Sequence, residues 1–368
     1  MKLATFMMPL HPPGKYYPQS LREDREAIIL ADKLGFEEAF VGEHVTDAAE
    51  TVTHCMAFLA SLISDTKRIK LGTGTINIPC MHPAAIAAQV AMLDNMLEGR
   101  FIMGISPGGL ISDAEVFGNL NNDRNAMFVE GIDMVLKIWE SDPPYKLQGK
   151  FWNVTTEKTM IPEIGQGYIL KPFQKPHPRI LLSASNEESA EFVGQYDAIL
   201  GMTLIIDLDV VRDTIEIYKK VSRAHGRDPG PDHILIGQQT CIAETDEEAR
   251  HHMREALPYF HDKLMRPQQD AQRIVLQKSR FFSDDEQKAF FVKRLQTHKS
   301  RSLEDQIEAG SLLCGSPQSV VKQIKRLRQH LGAGHININM KIGTMPDEII
   351  LKGMDLFRTQ VLPHVADL

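Results

Sequence analysis

The chain has 368 residues, of which 43% are hydrophobic and 24% are charged, with four cysteines and a formal net charge of -7. So much apolar material excludes an intrinsically disordered chain, and so few cysteines exclude a disulfide-stapled scaffold. The acidic balance argues against nucleic-acid binding, and no apolar run approaches the length of a membrane span.

Strand and helix patterns alternate along the chain from its first residues. Continuous apolar runs typical of buried parallel strands lie at 2–8, 38–42, 69–79, 101–105, 179–183, 198–203, 234–241 and 335–341. Helical patterns lie between and after them, at 20–35, 53–65, 83–97, 124–140, 187–195, 208–225, 245–262, 317–331 and 346–362. Eight strand–helix units without a linker predict one α/β domain over residues 1–368, a (β/α)8 TIM barrel, rather than several domains.

Two long segments interrupt this alternation, at about 142–178 and about 263–305. Loops of this length in a barrel are usually lids or binding loops. Active sites of such barrels lie at the C-terminal ends of the strands. We therefore expect both insertions to fold over the C-terminal face.

The segment Gly104-Ile105-Ser106-Pro107-Gly108 matches the G-x-S-x-G pattern of a hydrolase nucleophile elbow. That elbow needs the backbone N–H after the serine to stabilise the oxyanion. Here the next residue is Pro107, which has no N–H. The pattern therefore does not indicate a hydrolase.

Polar residues follow several of the predicted strands. His44 comes just after the strand 38–42, where a histidine serves either as a general acid/base or as a satisfied structural side chain. Gly74 lies inside a strand pattern, which indicates either close packing at a bulge or the approach of a flat ligand. No histidine or cysteine spacing matches a metal site, so we expect no metal.

A third polar group opens the helix that follows the strand 179–183. Ser185, Asn186 and Ser189 surround the start of this helix. Helix N-termini bind anions through their free N–H groups, and the same residue types also serve as simple N-caps. The sequence leaves both interpretations open.

These residues recur in a known family, and the chain resembles the bacterial-luciferase-like flavin-dependent monooxygenases over nearly its whole length. No single match decides the resemblance, but their order and spacing together are specific. The matching segments are 35–36, 41–44, 69–75, 82–83, 93–101, 104–105, 117–118, Arg124, 314–317 and 331–334.

The resemblance implies a cytoplasmic TIM-barrel enzyme, usually a homodimer, that binds reduced FMN at the C-terminal ends of the strands. A separate NAD(P)H:flavin reductase supplies the reduced FMN. The co-substrate O2 adds at flavin C4a, and the resulting peroxide oxidises a small organic substrate. The flavin carries this chemistry, while the protein supplies binding and electrostatics.

The resemblance also assigns roles to individual residues. His44 matches the catalytic histidine beside the flavin, and Gly74 and Thr75 match a non-proline cis peptide beneath the isoalloxazine. Ser106 matches a position facing flavin C4a, and Arg124 matches an arginine near the flavin ring or phosphate. The phosphate-binding turn is matched by Ser185, Asn186 and Ser189. The charged stretch after residue 261 matches a mobile active-site loop.

Two departures narrow the expected activity. Luciferase has two adjacent histidines where this chain has His44-Val45, and Cys-Arg where it has Ser106-Pro107. We therefore expect ring hydroxylation or Baeyer–Villiger oxidation of a small apolar molecule, such as a terpene or a cyclic ketone, rather than light emission. The alternatives are an oxidoreductase of the same fold that uses the deazaflavin F420, and a flavin-binding protein without turnover.

Overall fold

Parallel strands pair edge to edge around a closed ring, so the predicted barrel is confirmed. The computed structural model describes residues 1–7, 10–202, 207–260 and 301–368. Within these ranges the strands are β1 Lys2–Met7, β2 Glu38–Val41, β3 Lys70–Thr73, β4 Ile76–Asn77, β5 Phe101–Ser106, β6 Lys146–Gln148, β7 Asn153–Thr155, β8 Arg179–Ser183, β9 Ala198–Met202, β10 Ile234–Ile242, β11 Leu312–Gly315 and β12 His335–Asn339. The ring runs β12-β1-β2-β3-β5-β8-β9-β10, and β10 pairs again with β12 to close it.

Helices cover the outside of this ring. In the described ranges they are α1 Tyr17–Leu34, α2 Cys55–Ala60, α3 Pro83–Met96, α4 Ile111–Val116, α5 Arg124–Glu140, α6 Glu187–Val193, α7 Leu208–Ala224, α8 Asp246–Tyr259, α9 Leu303–Glu308, α10 Pro317–Leu331 and α11 Asp347–Leu356. Local signals set several ends: Ser316 caps the start of α10, and Gly332 ends it with a left-handed backbone (φ 66°). None of these helices is long and apolar enough to cross a membrane.

The apolar core has two layers because successive strand residues point to opposite faces. One layer lies between strands and helices, and the other fills the barrel interior. The interior layer is formed by Ala4, Phe40, Ile102, Leu181, Ile199 and Leu235, with Phe6 packed against it. The barrel is therefore filled, and a site must lie at its rim.

The predicted strands and helices differ from the structure mainly at short elements. The predicted strand 69–79 is broken after Thr73, where a cis peptide bond joins Gly74 to Thr75 before β4 begins. The added strand β11, paired with β10, was not predicted, since it has only four residues. The predicted helix 53–65 is shorter in the structure, because α2 ends at Ala60 and turns follow it.

The insertion at 142–178 packs against α3 and α5. Glu130, midway along α5, accepts hydrogen bonds from the backbone N–H groups of residues 150, 151 and 152 at 2.8–2.9 Å. Further on, Gln174 bonds Asp94 at the end of α3 and the carbonyl of Phe101 at the start of β5. These contacts place parts of the segment beside α3, α5 and the start of β5, and the expectation that it covers the C-terminal face stays a prediction.

Most of the second predicted insertion, 263–305, lies outside the described residues. The part outside them is 263–300. The described part begins with the entry into α9, which Ser302 caps by accepting a hydrogen bond from the N–H of Asp305 at 3.0 Å. The charged stretch after residue 261, expected to form an active-site loop, stays a prediction.

Candidate active site

His44 lies between two buried carboxyl groups just beyond the end of β2. Its Nδ1 is 2.9 Å from Oδ2 of Asp113, the third residue of α4. Its Nε2 is 3.5 Å from Oε2 of Glu50. The imidazole is one-fifth exposed (20%), whereas both carboxyl groups are nearly inaccessible to solvent. A partly open histidine backed by buried acids is a plausible proton donor at a barrel rim.

Asp113 also fixes the backbone around this histidine. Its Oδ1 accepts hydrogen bonds from the N–H groups of Val45 at 3.2 Å and Thr46 at 2.9 Å, and from the Thr46 hydroxyl at 2.6 Å. Burial acts to raise the pKa of Asp113, but the hydrogen bonds from His44 and Thr46 outweigh it and lower that pKa. Asp113 is therefore an ionised partner of the histidine.

The acids around His44 favour its protonated form. Burial alone would lower the pKa of His44, but the hydrogen bond to Asp113 and the charges of Glu50, Asp113 and Asp47 raise it to about 9. For Glu50, burial raises the pKa to about 7, opposed by the positive charge of His44 and reinforced by Asp47 and Asp113. The histidine is consequently an imidazolium at neutral pH.

Gly74, Thr75 and Ser106 meet at the ends of β3 and β5. The Thr75 hydroxyl lies 2.6 Å from the Ser106 hydroxyl, which donates to the amide oxygen of Asn77 at 3.0 Å. A Cβ at Gly74 would lie 2.8 Å from the ring of Phe6, so close packing requires the glycine. The peptide bond between Gly74 and Thr75 is cis, as the resemblance implies.

Arg124 holds the loop that follows β5. Its Nη1 donates to the carbonyl oxygens of Pro107 at 3.1 Å and Gly108 at 2.6 Å. The N–H of Gly108 in turn donates to the Ser106 hydroxyl at 3.1 Å. Burial lowers the pKa of Arg124 to about 10, so the side chain keeps its charge at neutral pH. The arginine therefore connects the start of α5 to the hydroxyl and amide groups at the strand ends.

Ser185, Asn186 and Ser189 form a capping box at the start of α6. Asn186 is the N-cap, and its side-chain oxygen accepts from the N–H of Ser189 at 2.9 Å. The Ser189 hydroxyl accepts from the N–H groups of Ser185 at 3.0 Å and Asn186 at 3.1 Å. The N-cap interpretation thus describes the observed geometry, and the role of this turn in phosphate binding stays a prediction.

The predicted site residues follow four strands that are consecutive neighbours. His44 follows β2, Gly74 follows β3, Ser106 ends β5 and Ser185 follows β8, and the order β2-β3-β5-β8 is unbroken in the sheet. The Cys80 thiol experiences the charges of both Asp113 and Arg124. Burial is the main cause that raises the pKa of this thiol to about 11.

Three residues of the site were missed by sequence reasoning. Asp113, Glu50 and Asn77 carry no local motif, and Asp113 is 69 positions from His44. The acids nearest to His44 in sequence bond the backbone instead. Glu43 accepts from the N–H of Cys55 at 2.9 Å, and Asp47 accepts from the N–H of Ala49 at 2.8 Å.

Comparison with known protein families shows to which of them the chain belongs. A family model described as luciferase-like monooxygenase matches residues 1–335 of this chain. The chain belongs to this family. The resemblance deduced from the sequence motifs is therefore confirmed.

Curated relatives of the chain in this family are monooxygenases. A 4-hydroxyprotoasukamycin monooxygenase of Streptomyces nodosus subsp. asukaensis is 33% identical over 144 residues, which are 39% of either chain. Limonene 1,2-monooxygenase of Rhodococcus erythropolis is 24% identical over 368 residues, covering 98% of this chain and 86% of the relative. These similarities support a monooxygenase activity.

Solved structures of the same fold include proteins with two kinds of cofactor. The oxygenating constituent of 3,6-diketocamphane monooxygenase of Pseudomonas putida, a type II Baeyer–Villiger enzyme in complex with FMN, superposes with a TM-score of 0.83 at 20% identity, covering 99% of this chain and 98% of that one. An F420-dependent secondary alcohol dehydrogenase superposes with a TM-score of 0.71 at 19% identity, covering 99% and 98%. At these identities the likeness shows the fold alone.

Proposed function

We propose that this protein is the oxygenase component of a two-component monooxygenase. It takes reduced FMN from a separate NAD(P)H:flavin reductase and uses it with O2 to oxygenate a small apolar organic molecule, by hydroxylation or by Baeyer–Villiger oxidation. The observation that carries the proposal is an imidazolium, His44, at the rim of a barrel whose neighbouring strand ends bear the hydroxyl and amide groups of Thr75, Ser106 and Asn77. When bound, reduced FMN supplies the electrons that activate O2.

The polar groups at these strand ends fit a flavin. A flavin ring presents carbonyl oxygens and ring nitrogens, which pair with hydroxyl, amide and backbone groups of the kind that Thr75, Ser106 and Asn77 supply. Arg124 adds a buried positive charge next to the same loop. These four residues would hold the ring and the adjoining chain of the cofactor.

The capping box of α6 would hold the phosphate. The N–H groups of Ser185 and Asn186 both donate to the Ser189 hydroxyl, at 3.0 and 3.1 Å, so the three groups lie together at the start of the helix. These are the groups that bind phosphate at helix N-termini. The strand that leads into this turn, β8, pairs directly with β5, which ends at Ser106. Ring and phosphate contacts would therefore lie on adjacent strands.

His44 would act on the oxygen that is transferred. An imidazolium placed next to a reacting oxygen stabilises the negative charge that develops there, and it can donate a proton from Nε2. Asp113, bonded to Nδ1 at 2.9 Å, fixes the orientation of the ring while it does so. His44 would thus donate the proton, and Asp113 would orient the ring of His44.

The proposal is tested by supplying the purified protein with cofactor and labelled oxygen. With reduced FMN, 18O2 and a panel of terpenes and cyclic ketones, one labelled oxygen atom should enter the product. The matched reaction with reduced F420 in place of reduced FMN should give no product that contains labelled oxygen. Turnover driven by F420 alone would support the F420-dependent alternative. Tight FMN binding without any product would support a flavin-binding protein without turnover.

We also propose a homodimer that forms through α3. The outer face of α3 carries apolar residues at intervals of four positions. Two of them, Met92 and Met96, are 62% and 50% exposed. The other two members of this stripe are Ala84 and Ala88. Light scattering should give twice the mass of the 41.4 kDa chain, and Met92→Lys with Met96→Lys should give the monomer mass. A monomeric wild-type protein would contradict the proposal.

A further inference from the structure

Both ring nitrogens of His44 face carboxyl groups, and the two carboxyl groups come from different parts of the chain. Asp113 Oδ2 lies 2.9 Å from Nδ1, and Glu50 Oε2 lies 3.5 Å from Nε2. Glu50 is only 1% exposed. The contact of Nδ1 with Asp113 is a hydrogen bond, and the contact of Nε2 with Glu50 is an ion pair, so both carboxyl groups favour the imidazolium.

The position of Glu50 is set by the backbone rather than by its ion pair. Glu50 forms an antiparallel bridge with Leu10, and the N–H of His11 donates to the carbonyl of Ala49 at 2.7 Å. The N–H of His44 donates to the carbonyl of Val52 at 3.1 Å, which closes the loop around both residues. A change of the Glu50 carboxylate to an amide should therefore leave the loop in place.

The charged groups that act on this pair are few among the described residues. His44 experiences Asp113 from α4, and Glu50 and Asp47 from its own loop. Glu50 experiences the same two aspartates and the positive charge of His44. A buried acid whose favourable charge partner is one imidazolium has its proton equilibrium coupled to that imidazolium.

We propose that Glu50 is a positioning residue whose carboxylate keeps Nε2 of His44 protonated and favours the return of its proton after each turnover. The second half of this statement rests on the proposed function. In that step the Nε2–H bond breaks as an O–H bond forms on the reacting oxygen. A proton from solvent then forms the Nε2–H bond again, and the negative charge of Glu50 stabilises the imidazolium that results. No electrons change hands.

The first test measures the titration of His44 in the protein without cofactor. NMR of the imidazole, assigned by its loss in His44→Gln, should show a pKa that falls by about one unit or more in Glu50→Gln, because an opposite charge next to the ring is removed. Glu43→Gln is the matched control: it removes one charge from the same loop, keeps an acceptor for the N–H of Cys55, and should leave the titration of His44 unchanged.

The second test measures turnover against pH with saturating substrate. Glu50→Gln should move the alkaline limb of kcat to lower pH and reduce kcat about 5-fold near pH 9, with KM unchanged. Glu50→Asp, which keeps the carboxylate, should restore most of the loss. Equal effects of Glu50→Asp and Glu50→Gln on both readouts would indicate a purely structural role and overturn the proposal.

The two tests separate this inference from the proposed function. An unchanged pKa of His44 in folded Glu50→Gln would refute the positioning role whatever the protein catalyses. A lowered pKa of His44 in a protein that oxygenates no substrate would refute the proposed function and the role in proton return, while the positioning of His44 by Glu50 would stand. If Glu50→Gln does not fold, Glu50→Ala, which also removes the carboxylate, replaces it in the titration, and an unchanged pKa of His44 in folded Glu50→Ala would refute the positioning role.

Discussion

Two histidine–glutamate pairs lie at opposite ends of the same barrel. At the C-terminal ends of the strands, His44 contacts Glu50 and Asp113 and is one-fifth exposed. At the N-terminal ends, the Nδ1 of His335 lies 2.9 Å from Glu38, and both side chains are fully buried. The Nε2 of His335 is 3.0 Å from the backbone carbonyl of Asp232. The residue types are the same, but the surroundings differ.

The comparison shows what distinguishes a histidine–carboxylate pair in an active site from one that stabilises the fold. His335 is held by one carboxyl group and one carbonyl oxygen between the starts of β2 and β12, so it links two strands of the barrel. His44 is held by one carboxyl group on a loop and one on the short helix α4, and part of its ring faces outward. Side chains at the N-terminal ends of barrel strands serve stability, and those at the C-terminal ends serve activity. The following predictions test that division.

The largest effect on stability is expected from His335→Ala. Removal of a fully buried imidazole leaves a cavity and a buried Glu38 carboxyl group without its donor, which should cost about 2–4 kcal/mol of unfolding free energy. Urea unfolding measures this loss, and kcat of the remaining folded protein should be unchanged. A variant as stable as the wild type would show that this pair does not hold the strands together.

The largest effect on activity is expected from His44→Ala. Loss of the proton donor should lower product formation about 100-fold, with more hydrogen peroxide released per reduced FMN consumed. Binding of reduced FMN should change little, whereas the unfolding free energy should fall, by less than in His335→Ala, because Asp113 and Glu50 lose the imidazolium that faces them but the removed ring is partly exposed. Turnover equal to that of the wild type would remove His44 from the reaction.

The pH dependence of activity should follow the charge of His44. Its pKa is raised to about 9, so kcat should hold from neutral pH and decline as the pH rises through that value. The histidine's contribution to stability has the same sign: it is complete below the unfolded pKa of about 6.5 and is lost as the pH rises through the folded one. A pH profile of kcat in wild type and His44→Gln checks this, and a decline centred near pH 6.5 would contradict it.

The smallest effect is expected at the capping box of α6. Ser189→Ala should weaken FMN binding about 5-fold through the loss of a hydrogen bond to phosphate. Riboflavin, which lacks the phosphate, is the matched control ligand, and its affinity should not change. Calorimetry with both ligands on the same variant gives the comparison. Equal weakening of FMN and riboflavin would place the phosphate elsewhere.

Much of the fold could be predicted because its periodicity is local. The apolar runs at 101–105 and 335–341 match β5 and β12 closely, and the helix predicted at 317–331 has the observed bounds of α10. The placement of the insertion 142–178 could not be predicted in this way. Its position depends on Glu130 binding three backbone N–H groups, a contact that no sequence period encodes.

The site was predictable in part. His44, Thr75 and Ser106 each follow or end a strand, so parallel pairing predicts that they lie at one edge of the barrel. The partners of His44 were not predictable, because Asp113 reaches it from α4 and Glu50 reaches it through the bridge to Leu10. Both contacts depend on tertiary packing, and the acids next to His44 in sequence are occupied by backbone N–H groups.

The most direct test of the central claim is a single turnover with reduced FMN and 18O2 in the wild type and His44→Ala. The account predicts one labelled oxygen atom in the product of the wild type. It predicts hydrogen peroxide with little labelled product in the variant. Label in the product of both proteins to the same extent would contradict the role of His44. Turnover that requires reduced F420 and incorporates no label would contradict the proposed monooxygenase.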